Sequence, residues 1–352
     1  MIDDAFVIDG VIHSYNLSQA NWKTQDCETF VRQSYEGLHK TLSPRDEPKW
    51  TLDEANFTSG KFDAETMAHL LFAESQSDAC VYHGVAKWGL FKDGGSPLDI
   101  GLEMRRQNPG RVAVYGPIWP LAPNVLEEVD RLVEEDNVSG LKFYPADIID
   151  DKVYTFRMDD ADVMFPIFEQ AQKAGIKSVA VHKAIPLDRA PLWPYKVDDL
   201  DEAFLAFPDL NIEIVHGGFA FLEETAIMLR RFKNAFVNLE GTTGLLPNHP
   251  KKFMDILGVL LATGAEDRIF WGTGAMVQHP QPLIEAFWNL EFPQEFVDGY
   301  GIPQLTKERK KKILSGNIAR VLELDIEEMK RESKGDQFDQ QEGLAEPWSA
   351  LR

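Results

Sequence analysis

Of the eight histidines in this 352-residue chain, four close short apolar runs: His13 ends "FVIDGVIH", His83 ends "ACVYH", His182 ends "KSVAVH" and His216 ends "IEIVH". Lys142 in "SGLKFYP" and Glu240 in "AFVNLEG" stand at comparable places. Imidazole titrates near neutral pH and ligates metals, and both uses need a ring held rigidly, which the end of a strand provides. A carboxylate and an amine set among such rings add groups whose charge responds to burial and neighbours. These residue types point to proton transfer or metal-assisted activation of a small molecule. The glycine-rich "GTGAM" after the last apolar run lacks phosphate-loop spacing, so neither a nucleotide nor a flavin is expected.

The elements that must position these residues follow from periodicity. Eight β-rich runs, "FVIDGVI", "ACVYHGV", "RVAVYGP", "SGLKFYP", "KSVAVH", "IEIVHGG", "AFVNLEG" and "RIFWGTG", alternate with segments of helical spacing at 61–73, 97–108, 122–136, 161–174, 198–207, 220–232 and 250–264. Two more helical segments, 282–290 and 305–322, follow the last run. Eight βαβ-like units predict an α/β fold, a single closed (β/α)8 TIM barrel with its active site at the C-terminal ends of the strands. The barrel is expected over 1–325, with 14–60 a long insertion or lid after the first strand and 326–352 a C-terminal tail. The tail reads either as an arm over a neighbouring subunit or as a segment without fixed structure.

Alternation along each strand groups Asp9, Val11 and His13 on one face, Ser178, Ala180 and His182 on another, and Ile212, Ile214 and His216 on a third, so that the histidines converge at the barrel mouth. In "NAFVNLEG" the polar Asn238 and Glu240 share one parity and Val237 and Leu239 the other. The apolar pair must face the helices, which turns Glu240 inward, where a carboxylate needs a cation, a metal or a protonated histidine.

The succession "IDGVIH", "GLKFYP", "VAVHKA", "IEIVHGG", "RIFWGTG" and "ILSGNIARVLEL" resembles the amidohydrolase superfamily. The resemblance is to the amidohydrolase-related branch that includes aminocarboxymuconate-semialdehyde decarboxylase and resorcylate-type decarboxylases, and it runs from Phe6 to Leu324. It implies two metal ligands from a strand-one Asp-x-His-x-His, a third from a strand-five histidine, a fourth from a strand-eight aspartate, and a strand-six histidine as acid/base. On this chain it assigns His13 and His182 to the metal and His216 to proton transfer. Val11 stands in place of the first histidine and Gly274 in place of the aspartate. The expectation is therefore one divalent metal, zinc or manganese, at a degenerate site, with Asp9, Glu240 or His279 as replacement ligands. Lys142 is read as a catalytic-site residue that balances charge or binds substrate, and Glu240 as a catalytic carboxylate.

Trp88, Phe91, Trp119, Trp193 and Tyr195 fall in strand-end loops and predict an aromatic substrate pocket, with Trp88, Trp119 and His83 as its contacts. His39, His69 and His249 are read as surface residues. The net charge of −21 disfavours nucleic-acid and anionic-membrane partners. No apolar run approaches the roughly 18 residues of a membrane span, and "MIDDAFVIDG" lacks the basic start of a signal peptide, so a cytoplasmic location is expected. Cys27 and Cys80 form no motif, which leaves no disulfide framework or thiolate metal site. A homo-oligomer taking a small-molecule substrate is expected. The leading reading is a hydrolase of a small cyclic or aromatic amide, lactone or acid. The alternatives are a non-oxidative decarboxylase of an aromatic or muconate-type acid, a metal-free enzyme using a His–Glu pair, and a non-catalytic barrel.

Overall fold

Eight parallel strands follow one another around the computed structural model, which describes residues 1–351. They are β1 (Ile8–Ile12), β2 (Ala79–His83), β3 (Val112–Ile118), β4 (Gly140–Phe143), β5 (Ser178–His182), β6 (Asn211–Val215), β7 (Ala235–Asn238) and β8 (Ile269–Phe270). Each pairs with the next in sequence. The segment running on from β8 then returns to β1: Gly10 N–H donates to Trp271 O (3.0 Å), Gly274 N–H to Val11 O (3.0 Å) and Met276 N–H to His13 O (3.1 Å). The seam leaves no open edge, as a barrel requires.

Helices at Ala64–Phe72, Leu98–Gln107, Val125–Glu134, Met164–Lys173, Asp201–Ala206, Leu222–Arg231, Pro250–Leu261 and Pro280–Asn289 connect or follow the strands. Their apolar stripes bury Met104, Leu132, Phe168, Leu229 and Leu257 against the outward faces of the strands, among them Leu141, Val179, Ile214 and Val237. Inside the barrel a separate layer of Val11, Ala79, Val81, Ala113, Ala180, Val215 and Phe236 stacks on Ile318, Leu322 and Met329, which plug the N-terminal end. The bottom is thereby closed, and the polar residues collect at the other end.

Strand β6 departs from the alternation read from sequence. Ile212 and Ile214 pack outward with the helices, whereas Val215 lies in the inner layer and Glu213 bonds groups inside the barrel. By parity His216 would follow the isoleucines outward. It instead takes a left-handed backbone (φ 61°) just past the strand, which resets the alternation and swings its ring over the mouth. Histidine is among the few non-glycine residues that visit this region.

The insertion after β1 folds over the mouth. Residues 26–42 form one helical segment with a π-helical stretch, Gln33–His39, in its middle. The C-terminal segment packs back on the chain: after a helix at Ile326–Glu332 it ends with Trp348 buried against His39 and His279 (ring centroids 5.8 and 5.0 Å), Nε1–H donating to Trp50 O (3.1 Å). Glu74 receives the backbone N–H groups of Trp348 and Ser349, both at 2.7 Å. Trp348, with Phe338 against Phe72 (5.5 Å) and Asp336 paired to Arg111 (2.6 Å), gives the polar tail a fixed place. His39, expected at the surface, is buried there: its Nδ1–H donates to Val277 O and its Nε2 accepts from Leu52 N–H, each at 2.8 Å. No helix among the described residues is long and apolar enough to cross a membrane.

Candidate active site

A cavity of about 30 Å³ lies at the C-terminal ends of the strands, with His13, His182, His216 and Glu240 in its floor. Ser34, Leu38 and Leu42, four residues apart along one stripe of the insertion helix, form its roof, and Ile185, Leu187 and Val277 close the sides. Tyr15 and Tyr144 complete the wall, their hydroxyls 3.0 Å apart, and the Tyr144 ring stacks on His182 at 4.3 Å.

Hydrogen bonding fixes the proton positions. Ile185 O can only accept, so the His182 Nε2 that lies 2.6 Å from it carries a proton. Burial first, then the charges of His216 and Lys142, hold His182 well below the ordinary imidazole range, so its Nδ1 is a bare acceptor. His216 Nε2, 3.1 Å from that Nδ1, must then donate. The other ring nitrogen, Nδ1, faces two acceptors, Glu240 O at 3.0 Å and Glu240 Oε2 at 2.7 Å, and must donate as well. His216 is therefore an imidazolium, and Glu240 its counter-ion. Burial alone would raise the Glu240 carboxyl, but the charge and hydrogen bond of His216, with the charge of Lys142, bring it below the usual carboxylate range. The pair depends on two glycines. A Cβ on Gly241 would stand 2.8 Å from His216 Nδ1, and one on Gly274 would stand within van der Waals overlap of Glu240 Oε1. Both residues also have positive φ, 72° in each case, which suits glycine.

His13 donates Nδ1–H to His83 O (2.9 Å), which leaves Nε2 as the acceptor on the cavity. Burial, then the charge of Lys142, pushes His13 down to about 3, so it is neutral. Beneath the cavity Lys142 is buried, its Nζ without a hydrogen-bond partner among the described residues and 5.4 Å from the centre of the Tyr144 ring. Burial, against the attraction of Glu240 and Glu213, brings its ammonium down to about 8. Glu213 is held by Tyr115 Oη (2.6 Å), Ser178 Oγ (2.7 Å) and Asn238 Nδ2 (3.2 Å). Its partners lie on β3, β5 and β7, so this network braces the barrel floor.

The four-ligand metal site that the resemblance implies is not assembled by these residues. Val11 lies in the apolar inner layer, and the space of a β8 aspartate is filled by Glu240. Asp9 accepts from Thr273 N–H (2.9 Å) and Thr273 Oγ1, and burial drives its carboxyl up to about 7, so it sits below the cavity with both oxygens bonded and not as a free ligand. Both nitrogens of His182 are committed, and His279 pairs with Glu74 at 3.2 Å outside the cavity wall. Among the described residues no three His, Cys, Asp or Glu side chains are grouped to hold an ion. The donor set does not fit a family-type metal.

The residues expected to contact substrate separate. His83 is fully buried with its ring stacked on Tyr115 (4.5 Å), and only its backbone carbonyl meets the site. Trp88 and Trp119 lie outside the cavity, in a surface groove with Pro117 and Arg131; Trp119 packs edge-on against Phe156 (4.9 Å) beside the hairpin after β4. Phe91 is buried against Phe30, and Trp193 is exposed. Tyr195 alone of that group approaches the site, edge-on to His182 at 5.6 Å. The cavity's own aromatics, Tyr15 and Tyr144, stand two residues beyond His13 and Lys142. Carrying the alternation one step further would have found them.

The profile of the family described as amidohydrolase matches residues 86–324. The chain belongs to the amidohydrolase family and is an enzyme of it. No curated protein matches the sequence. Solved structures share the fold: an uncharacterized TIM-barrel protein from Bordetella bronchiseptica (16% identity, TM-score 0.62, 90% of this chain and 98% of the other). A 5-carboxyvanillate decarboxylase from Novosphingobium aromaticivorans with bound manganese is similar at 14% identity and TM-score 0.55, over 91% of this chain and 98% of the other. A probable 2-pyrone-4,6-dicarboxylic acid hydrolase from Acinetobacter baumannii is similar at 11% and 0.53, over 90% and 99%.

Proposed function

We propose that this amidohydrolase-family enzyme is a carboxy-lyase that removes carbon dioxide from a small aromatic or unsaturated carboxylic acid without oxidation, with His216 as the proton donor. One observation carries the reading: the hydrogen-bond chain from Ile185 O through His182 to His216 and Glu240 leaves His216 loaded with a proton on each nitrogen. An imidazolium has no lone pair with which to take a proton from water, and the Glu240 carboxylate, held below its usual range, is a weak base. Both facts favour a reaction that begins by proton delivery over one that begins by activating water. The similar decarboxylases support the same choice over hydrolysis.

In the reaction the bond between the ring or vinyl carbon and the carboxyl carbon breaks. The electron pair stays on the substrate carbon and takes the Nε2 proton of His216, which must turn from its hydrogen bond to His182 Nδ1 to deliver it, and carbon dioxide departs. Glu240 keeps the resulting neutral ring oriented through Nδ1–H, and a solvent proton restores the imidazolium. The apolar roof of Leu38 and Leu42 excludes water from the carboxylate, whose charge disperses as carbon dioxide forms. At about 30 Å³ the cavity holds about one water, so the insertion helix must lift to admit substrate.

The test is a panel of aromatic and unsaturated acids incubated in D2O with chelator-treated protein. A substrate should release carbon dioxide and give a product with one deuteron at the vacated carbon. His216→Asn should lower turnover by ~10²–10⁴-fold with the fold intact. Turnover confined to lactones, amides or esters overturns the proposal.

A further inference from the structure

We infer that the side-chain amide of Gln278 is a recognition group for substrate, reading a hydroxyl substituent on the acid; this rests on the acid class proposed above and narrows it to hydroxylated acids. Gln278 lines the cavity and is 3% exposed, yet neither its Nε2 nor its Oε1 has a hydrogen-bond partner among the described residues. The other deeply buried amides are satisfied. Asn234 donates to Phe207 O (2.9 Å), Asn238 to Glu213 (3.2 Å), Asn317 to Ile269 O (2.8 Å), and Gln281 to Gln76 and Glu285 (2.8 and 2.7 Å). A buried amide without partners costs stability and persists where a ligand completes it.

The amide is also seated. A Cβ on Gly244 would overlap both Nε2 and Oε1, so the glycine makes the space the amide fills. The backbone on its N-terminal side is pinned by Val277, whose N–H donates to Gly274 O and whose carbonyl accepts from His39 Nδ1–H, both at 2.8 Å. Beside His216, Glu240, Tyr15 and Tyr144, the polar groups of this cavity include a donor and an acceptor on Gln278 and a bare acceptor, Nε2, on His13. A hydroxyl donates and accepts through one atom and so complements that set. An unsubstituted ring would leave the amide unpaired, and a site built for a hydroxyl discriminates strongly against its absence.

Two variants test this. Gln278→Met roughly conserves volume and removes the amide, and Gly244→Ala displaces the amide without altering it. In ligand-free protein Q278M should raise the melting temperature by about 1–3 °C, since it removes an unsatisfied polar group. A lower melting temperature would show a structural role and overturn the inference. Calorimetric titration with benzoate, 2-hydroxybenzoate and 2,6-dihydroxybenzoate should give tighter binding of the hydroxylated acids to wild-type protein by about 10-fold or more. In Q278M and G244A that preference should fall below about 3-fold, with benzoate affinity little changed. A preference that survives in Q278M overturns the role of Gln278 alone. Failure of wild-type protein to bind any of the three overturns the acid class and the hydroxyl reading together.

Discussion

Glu240→Gln keeps the shape of the side chain and removes the charge that faces His216, which makes it the most direct probe of the proton-loaded pair. Glu240 Oε2 lies 2.7 Å from His216 Nδ1. Two unit charges at that distance attract by about 6 kcal/mol at an effective dielectric of about 20. Burial of both takes back several kcal/mol, and an amide oxygen at the same place keeps a neutral hydrogen bond of about 1 kcal/mol. The net loss of preference for the imidazolium is on the order of 2–4 kcal/mol, or roughly 30- to 1000-fold in the loaded fraction. Nitrogen-15 NMR of histidine-labelled protein at pH 7 should show both ring nitrogens of His216 protonated in the wild type and a neutral ring in E240Q. Turnover should fall by about 10²-fold or more in parallel. A neutral His216 in the wild type, or an imidazolium that survives in E240Q, would refute the reasoning from hydrogen-bond geometry.

Three further outcomes follow from the same geometry. Burial lowers the Lys142 ammonium from 10.5 to about 8. The folded chain thus releases this proton at lower pH than the unfolded chain, so its cost is fully present below about pH 8 and is relieved as pH rises toward 10.5, a gain of about 3 kcal/mol. Lys142→Met should lack that rise, and parallel denaturant midpoints for the two proteins between pH 7 and about 10.5 would contradict it. Trp348→Ala should speed amide hydrogen exchange in 34–42 while leaving the barrel strands protected, because Trp348 packs on His39 behind the roof helix; unchanged exchange would show that the tail does not hold the lid. Val11→His with Gly274→Asp restores the two missing ligands, but Glu240 occupies the aspartate's space. The double variant should bind manganese weakly, and the addition of Glu240→Ala should tighten it by 10-fold or more, as read by electron paramagnetic resonance; equal affinities would mean that Glu240 is no obstacle.

Strand order and the ends of the helices were legible because each βα unit repeats the same change of period, from two residues to about 3.6. The inward parity of Glu240 was legible for the same reason, since Val237 and Leu239 leave β7 only one way to face. His216 reached the mouth by another route: its left-handed backbone is a tertiary property that alternation cannot reveal, and the reading from Ile212 and Ile214 pointed the wrong face inward. The aromatic rim failed at Trp88 and Trp119 because loop aromatics at a strand end can pack on either side of the mouth, and here they pack outward. The insertion and tail were opaque in sequence. Their contacts, Trp348 on His39 and Glu74 on the Trp348 backbone, join segments more than 270 residues apart.

Gly274, where the family pattern has an aspartate, is coupled in space to Glu240. Loss of the aspartate at Gly274 alone would leave a gap beside two neutral imidazoles, and a carboxylate at Glu240 alone would collide with that aspartate. With glycine at 274 the carboxylate enters from β7, and with glycine at 241 the His216 ring can turn to meet it. Negative charge then sits against His216, where it stabilises a proton. In a metal site it would face an ion. His182 follows the same logic, because a ring whose Nε2 is bonded to Ile185 O and whose Nδ1 accepts from His216 can orient the acid but has no lone pair left for a cation. On the proposed reading, glycine at 274 and 241 with a carboxylate at 240 favours holding an acid over holding an ion. One single change should be close to silent: Asp9→Asn, which alters a group below the cavity whose carboxyl burial raises to about 7 and which stays bonded to Thr273, should leave turnover within about 3-fold of wild type. A 10²-fold loss in D9N would mean that the Asp9 carboxylate takes part in the chemistry from below the cavity.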